Sequence, residues 1–243
     1  MALRAYASGT VFAEVSGPAP RVLALHGWGR RAADFGSALR GLSYLAPDLP
    51  GFGASPPPPQ AMGSRQYAAA LEPLLDELEE NAVLVGHSFG GRVALHLADC
   101  HPARFAGLVL TGAPLVRVAR VRKPHPIFRL GRWAGRRGLL PAARVERLRE
   151  RYGSADYRAA RGVMREVLVR TINESYEAEL GRLNLPVALI WGADDREVPL
   201  SVAEGLIARM STAELQVLAG VGHGVPLEAP RALREAVEKM LTR

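Results

Sequence analysis

One cysteine, Cys100, stands among 243 residues, so no disulfide closes within the chain and a hydrophobic core has to hold the fold. Its place in the helix-compatible segment behind Ser88 suggests a packed thiol, not a redox group. No apolar run approaches the about 20 residues that a membrane span needs. Residues 1–17 alternate apolar and small polar side chains and lack the basic start and continuous apolar stretch of a signal peptide, so a cytoplasmic protein is expected. No cluster of His, Cys and Asp has metal-ligand spacing, and neither a dinucleotide fingerprint nor a phosphate loop is present. No metal or other cofactor is therefore expected. Internal repeats are also missing.

What is present fits one globular unit. Hydrophobic residues make up 48% of the chain and charged residues 23%, ordinary proportions for a soluble enzyme. A length of 243 residues favours one domain with a large core. The formal charge of +7 is unevenly spread. Residues 115–170 hold sixteen Lys and Arg against Glu146, Glu150, Asp156 and Glu166, a local +12 that leaves the rest of the chain at −5.

Strand-like runs fall at residues 3–7, 10–15, 21–25, 42–46, 82–85, 105–110, 186–191 and 215–218. The first two read as a hairpin around Ser8-Gly9 at a sheet edge. Helical segments are predicted at 34–39, from Ser64 to about 80, at 92–100, at 201–210 and after Glu228. Strands alternating with helices at this spacing argue for an α/β protein, a mostly parallel sheet covered on both faces. The rhythm stops between 115 and 182, which holds no convincing strand. There, residues 141–152 read as a helix with proline near its start and Gly153 past its end. A second helix, 155 to about 176, aligns Tyr157, Ala160, Met164, Val167, Leu168 and Thr171 on one face. The expected organisation is a single domain, 1–243, with a core of 1–114 and 183–243 and a helical cap at 115–182.

The apolar run 82–85 leads at once into Gly86-His87-Ser88-Phe89-Gly90-Gly91. A serine on so tight a strand-to-helix turn takes strained backbone angles, and glycines two residues to either side let neighbouring backbone pass without a Cβ clash. The lack of lysine excludes a phosphate loop. In this context the sequence resembles the α/β-hydrolase family, whose nucleophile sits on such a turn. The resemblance implies a mostly parallel eight-stranded sheet with helices on both faces, an inserted helical cap, and a serine–acid–histidine order along the chain. His223, in the glycine-rich loop 219–224 followed by Leu227-Glu228-Ala229-Pro230, matches the family's base. Trp191-Gly192-Ala193-Asp194-Asp195-Arg196-Glu197-Val198-Pro199 matches its Gly-x-x-Asp-x-x-Val-Pro segment and selects Asp195 as the acid, with Asp194 left as a turn residue bonding local amides. The earlier segment Thr111-Gly112-Ala113-Pro114 offers no carboxylate. His26-Gly27-Trp28-Gly29 resembles the family's oxyanion motif, so the amides of Trp28 and Phe89 are the expected oxyanion donors, and the Trp28 indole lines the pocket. His26, His87 and Asp48 are expected to be structural.

The implied activity is hydrolysis of a small or medium carboxylic ester or thioester through an acyl-enzyme on Ser88. Two alternatives stay open: cleavage of a C–C bond in a diketone-like acid by the same three residues, and a slow-turnover ligand receptor on the same fold. A serine at position 88 excludes the aspartate-nucleophile chemistries of the family. Arg144, Arg147 and Arg151 share one face of the first cap helix, and Arg158, Arg161 and Arg165 repeat the spacing on the second. Arg117, Arg120, Arg122, Lys123, Arg129, Arg132, Arg136 and Arg137 precede them. One reading is a solvated arginine-rich surface. The other is a cationic roof whose six helical arginines bind an anionic substrate, or one delivered by an acidic acyl-carrier protein, as a carrier-ester esterase of this family does. No nucleic-acid reader motif accompanies the charge, so nucleic acid is not an expected partner.

Overall fold

The apolar runs become the strands of one eight-stranded sheet in the computed structural model, which describes residues 2–117, 130, 133–134, 137–152 and 154–243. The strands are β1 (Ala2–Tyr6), β2 (Val11–Ser16), β3 (Val22–Leu25), β4 (Tyr44–Asp48), β5 (Ala82–His87), β6 (Phe105–Thr111), β7 (Val187–Gly192) and β8 (Ala213–Leu218). Their order is β1-β2-β4-β3-β5-β6-β7-β8. The pairs β1/β2 and β2/β4 are antiparallel and all others parallel. The helices are α1 (Ser64–Leu71), α2 (Phe89–Cys100), α3 (Ala142–Tyr152), α4 (Ala155–Ala159), α5 (Gly162–Thr171), α6 (Glu177–Arg182), α7 (Leu200–Ile207), α8 (Val225–Glu228) and α9 (Pro230–Leu241). Between β6 and β7 the described residues are helical or irregular, with no strand.

Both faces of the sheet are apolar, as parallel strands under two helical layers require. Val83 and Val85 point toward Phe35, Leu39, Leu233, Val237 and Met240. Leu84, between them, points the other way, toward Leu71, Val93, Leu97 and Trp191. The chain runs from β3 outward to β4 and then returns to place β5 on the other side of β3. Such a reversal opens a crevice at the carboxyl ends of the strands, where ligands bind in open α/β sheets.

Helix boundaries depart from the sequence expectation where backbone chemistry intervenes. The helix expected over 64–80 ends at Leu71 and tightens to a 3₁₀ segment, Glu72–Glu77, because Pro73 has no amide to continue the ladder. Gly63, not Ser64, is its N-cap. The helix expected at 34–39 is a 3₁₀ turn at Ala32–Phe35, and the helix placed at 92–100 already begins at Phe89. The helix expected over 155–176 is broken in two, with Ala160 and Arg161 extended and Gly162 at φ +49°. Its apolar face survives the break: Tyr157, Ala160, Val167, Leu168 and Thr171 are buried. Cys100 is a correction, since its thiol is exposed at the last residue of α2 and not packed.

A buried polar cluster fastens the segment after α5 to the core. The Ser64 hydroxyl donates to Glu174 Oε2 at 2.5 Å, Tyr176 donates to the same oxygen at 2.7 Å, and the Ser64 amide reaches Glu174 Oε1 at 3.0 Å. Removing the Glu174 carboxylate takes the acceptor from the Ser64 amide and leaves the two hydroxyls only each other and His96 Nε2. Glu174→Ala is therefore expected to lower stability by about 1–3 kcal/mol, read as a lower urea midpoint at unchanged denaturant slope. An unmoved midpoint would show that the cluster contributes nothing.

Candidate active site

Ser88 occupies the turn between β5 and α2 at φ +51°, ψ −112°. A side chain in this region costs about 1–3 kcal/mol and persists only where its surroundings over-determine it. The Ser88 amide donates to Thr111 O on β6 at 2.8 Å, and its carbonyl accepts from Gly91 at 3.0 Å. A Cβ at Gly86 would come to 2.6 Å from Gly91 Cα, and one at Gly90 would run into the Leu25 carbonyl of β3. Both glycines therefore let α2 start hard against two strands. Ser88 is left half-buried, facing a cavity of about 510 Å³.

Trp28, Phe89 and His223 line that cavity with Ser88, while Asp195 lies behind His223. The Asp195 side chain is only 1% exposed, and its Oδ2 meets His223 Nδ1 at 2.7 Å. Its other oxygen, Oδ1, accepts from the amides of Glu197 at 2.9 Å and Val198 at 2.8 Å. The sequence assigned such turn bonds to Asp194; the structure gives them to Asp195, because its side chain points back into its own turn. With Nδ1–H donating to the carboxylate, Nε2 becomes the basic nitrogen. Burial alone would lower the pKa of His223. The Asp195 hydrogen bond and the charges of Asp195, Glu197 and Glu228 outweigh it and raise the pKa above the ordinary value.

Two other histidines brace the site as neutral struts. His26 spans Gly27 O at 2.7 Å on Nδ1 and the Leu49 amide at 2.9 Å on Nε2, and burial holds its pKa down. His87 meets Thr111 Oγ1 at 2.8 Å; burial, then the facing His223, push it down to about 3. Asp48 accepts from Ala32 and Ala54 amides at 2.7 Å each, tying down the loops beside the site. Trp28 stacks edge-on against Phe89 and Phe52, at 5.5 and 4.9 Å between centroids, an apolar wall for the cavity. Phe89 opens the twelve-residue α2, so its amide has no partner within the helix and faces the positive end of the helix dipole.

The six helical arginines do not line the Ser88 cavity. Arg158, Arg161 and Arg165, with Arg170, line a separate groove of about 1170 Å³, and Arg144, Arg147 and Arg151 line neither it nor the Ser88 cavity. The helix break explains the placement of Arg161 and Arg165. Arg161 donates to the carbonyls of Arg158 and Ala160, and Arg165 to Ala160 O at 3.2 Å, so the guanidiniums cap the end of α4 and do not turn inward. Arg117 donates to Asn173 O at 2.6 Å, and Arg137 lies over the Trp133 ring at 4.5 Å. Arg120, Arg122, Lys123, Arg129, Arg132 and Arg136 lie outside the described residues.

Sequence reasoning missed the charges that do line the cavity: Arg92, Asp156 and Glu197. Arg92 lies one helical turn beyond Ser88, and its guanidinium donates to Thr171 O and stands 5.8 Å from the Tyr176 ring. Its spacing from Ser88 was the available signal, hidden by starting the helix at 92. Glu197 Oε2 stands 3.6 Å from His223 Nε2. A second serine–histidine–carboxylate array, Ser64–His96–Glu179, is sealed: Ser64 is fully buried and its proton already goes to Glu174. Among the described residues no three His, Cys, Asp or Glu gather as metal ligands, and no helix is long and apolar enough to cross a membrane.

Comparison with known proteins adds four findings. A model of the alpha/beta hydrolase family matches residues 22–236. A pimeloyl-[acyl-carrier protein] methyl ester esterase of Aromatoleum aromaticum is 32% identical, over 91% of this chain and 98% of that protein. A 2-hydroxy-6-oxononadienedioate/2-hydroxy-6-oxononatrienedioate hydrolase of Cupriavidus pinatubonensis is 28% identical over 92% of this chain and 87% of its own. Among solved structures, a 2-hydroxy-6-oxo-6-phenylhexa-2,4-dienoate hydrolase from Rhodococcus sp. strain RHA1 superposes with a TM-score of 0.70 at 26% identity, covering 100% of this chain and 99% of that one.

The three histidine environments are separable by NMR titration. His223 is expected to titrate above 6.5, and His87 to stay neutral down to about pH 3. Asp195→Asn removes the largest raising influence and should bring His223 down. A raised folded pKa contributes stability that is present below the unfolded value and lost as pH rises through the folded one. Asp195→Asn should therefore destabilise the protein most on the acid side of that window.

Proposed function

The chain belongs to the alpha/beta hydrolase family and is a hydrolase, and from that premise we propose that it cleaves a small or medium carboxylic ester or thioester through an acyl-enzyme on Ser88. The observation that carries the reading is the ring of His223, tied through Nδ1 to Asp195 at 2.7 Å while it shares a cavity with Ser88. His223 Nε2 takes the Ser88 proton as Oγ attacks the carbonyl carbon. The amides of Trp28 and Phe89 hold the oxyanion, each worth about 10²–10³ in rate. Asp195 stabilises the imidazolium. His223 then protonates the departing alcohol or thiol, activates water against the acyl-enzyme and returns its proton to Ser88. No cofactor takes part. Residues 115–182 act as a helical cap on a single domain with a core of 1–114 and 183–243. Ser154, Ala155, Asp156, Leu168, Thr171 and Ile172 from that segment, all lining the cavity, support this role.

Arg92 favours a second reading. A cation in the wall of the Ser88 cavity suits the carboxylate of a diketone-like acid, and the same three residues then cleave a C–C bond. The arginine groove supports delivery by a carrier: Arg158, Arg161, Arg165 and Arg170 lie outside the cavity, where an acidic protein surface reaches them and a small substrate bound at Ser88 does not. The Aromatoleum relative is named for an ester on such a carrier.

With a p-nitrophenyl ester the protein is expected to turn over steadily, and Ser88→Ala or His223→Ala to lower kcat by about 10⁴-fold or more. One acylation event without turnover would identify a receptor in place of an enzyme, and faster turnover of a dienoic diketone acid than of any ester or thioester would select the C–C reading. The triple change of Arg158, Arg161 and Arg165 to Ala should raise KM for an acyl-carrier-protein ester at low salt and leave the p-nitrophenyl ester untouched. Equal KM values for the carrier substrate would remove the carrier from the proposal.

A further inference from the structure

His223 is held from two sides. Asp195 grips the ring, and a second carboxylate grips the backbone. Glu228 Oε2 accepts from the Gly222 amide at 2.7 Å and Oε1 from the Gly224 amide at 2.9 Å. One carboxylate thus spans the two peptide N–H groups that flank His223, and the Glu228 amide closes the ring by donating to Gly224 O at 2.8 Å. Charge-assisted bonds of this kind are about twice as strong as neutral ones. The glycines fit this arrangement. Gly224 has φ −81°, which any residue adopts, so its lack of a side chain is not a backbone requirement. A Cβ there would lie 2.8 Å from Glu228 Oε1, and one on Gly222 3.1 Å from Oε2. The sequence Gly222-His223-Gly224 leaves room for the carboxylate.

We propose that Glu228 is a positioning residue for the reaction: by clamping the amides on both sides of His223 it sets where Nε2 stands relative to Ser88. The proposal rests on the acyl-enzyme reading given above. Glu228 acts through His223 and touches no substrate. Its charge is also felt by the ring, beside those of Asp195 and Glu197 from the segment after β7, with neutral His87 facing from the end of β5. Arg92 and Asp156 share the cavity.

The test uses p-nitrophenyl ester hydrolysis across pH. Glu228→Gln keeps the size and removes the charge, and its amide group offers a donor where an acceptor stood. Its plateau kcat is expected to fall about tenfold through misplacement of the base, with KM little changed. The acid limb of kcat/KM should move to lower pH, since a group that holds the proton on His223 is gone. Gly224→Ala keeps the charge but displaces the carboxylate. It should reproduce the loss of kcat with a smaller shift of the limb, and it carries the test if Glu228→Gln does not fold. Plateau kcat within about twofold of the parent in either folded variant, or an unmoved acid limb in Glu228→Gln, overturns the proposal. Full activity in Ser88→Ala or His223→Ala, measured alongside, would instead remove the reading beneath it.

Discussion

A serine at φ +51° leaves no slack around it, and the arrangement of this site follows from that turn. The strain is tolerated because three strand ends converge there. Leu25 of β3 is in register with Gly86, and Thr111 of β6 with His87, so the residues that follow β3, β5 and β6 leave the sheet at one level. The next strands continue the row. Gly192 of β7 pairs with Leu218 of β8, and the Asp194 amide donates to Val221 O at 2.9 Å, which brings the loops of Asp195 and His223 together. Parallel register thus collects side chains more than a hundred residues apart on one edge. The glycines at 86 and 90 are what allow α2 to begin inside that row.

The same residue types do opposite work in this small volume, and environment decides which. His26, His87 and His223 all lie near Ser88. The first two are buried against backbone partners and are held neutral, whereas His223 faces three carboxylates and holds its proton more tightly than usual. Asp48 and Asp195 are both buried and both accept from two backbone amides, but only Asp195 keeps an oxygen for an imidazole. The arrays Ser88–His223–Asp195 and Ser64–His96–Glu179 contain the same groups. Ser88 and His223 open on a cavity, whereas Ser64 is fully enclosed with its proton committed to Glu174. Composition does not distinguish them; access does, and so does the link to the acid, since His223 Nδ1 bonds Asp195 at 2.7 Å while His96 Nδ1 stands 3.7 Å from Glu179 without a hydrogen bond.

These differences mark what the sequence makes legible. The eight strands were readable because each is a short apolar run bounded by turn residues, and every strand expected falls within one or two residues of its observed place. The residues around Ser88, Asp195 and His223 were readable because close backbone approach demands glycine, and glycine spacing is visible in sequence. Helix interiors were harder. Periodicity across 155–176 is genuine, as the burial of Tyr157, Val167 and Leu168 shows, but it continues through a break that two extended residues create. The break also sets where Arg161 and Arg165 stand, which with Arg158 line a groove beside the Ser88 cavity and not the cavity itself. Arg92 was hidden because the helix behind Ser88 starts at Phe89 and not at 92, whereas the place of Glu197 comes from His223, 26 positions away, and the role of Glu228 from a turn that only the folded loop defines.

The segregation of charge gives the site two compartments with one wall. The α5 turn and the residues after it supply both: Leu168, Thr171 and Ile172 face the Ser88 cavity, while Val169, Arg170 and Asn173 face the arginine groove. Helical periodicity makes that division, since neighbouring residues differ by about 100° in direction. The wall is pinned from both ends, by Arg92 to Thr171 O, by Arg117 to Asn173 O and by Glu174 to Ser64. For a substrate carried on an acidic partner, the proposed division places the partner's charge one helix width, about 10 Å, from the cavity that holds the bond to be cleaved. The long-range field of the arginines then acts on the partner, and the cavity, with one cation and two acids, acts on the acyl group. In the proposed arrangement a basic surface steers the partner without placing further cations beside His223, where their charge would disfavour the imidazolium that forms as Ser88 gives up its proton.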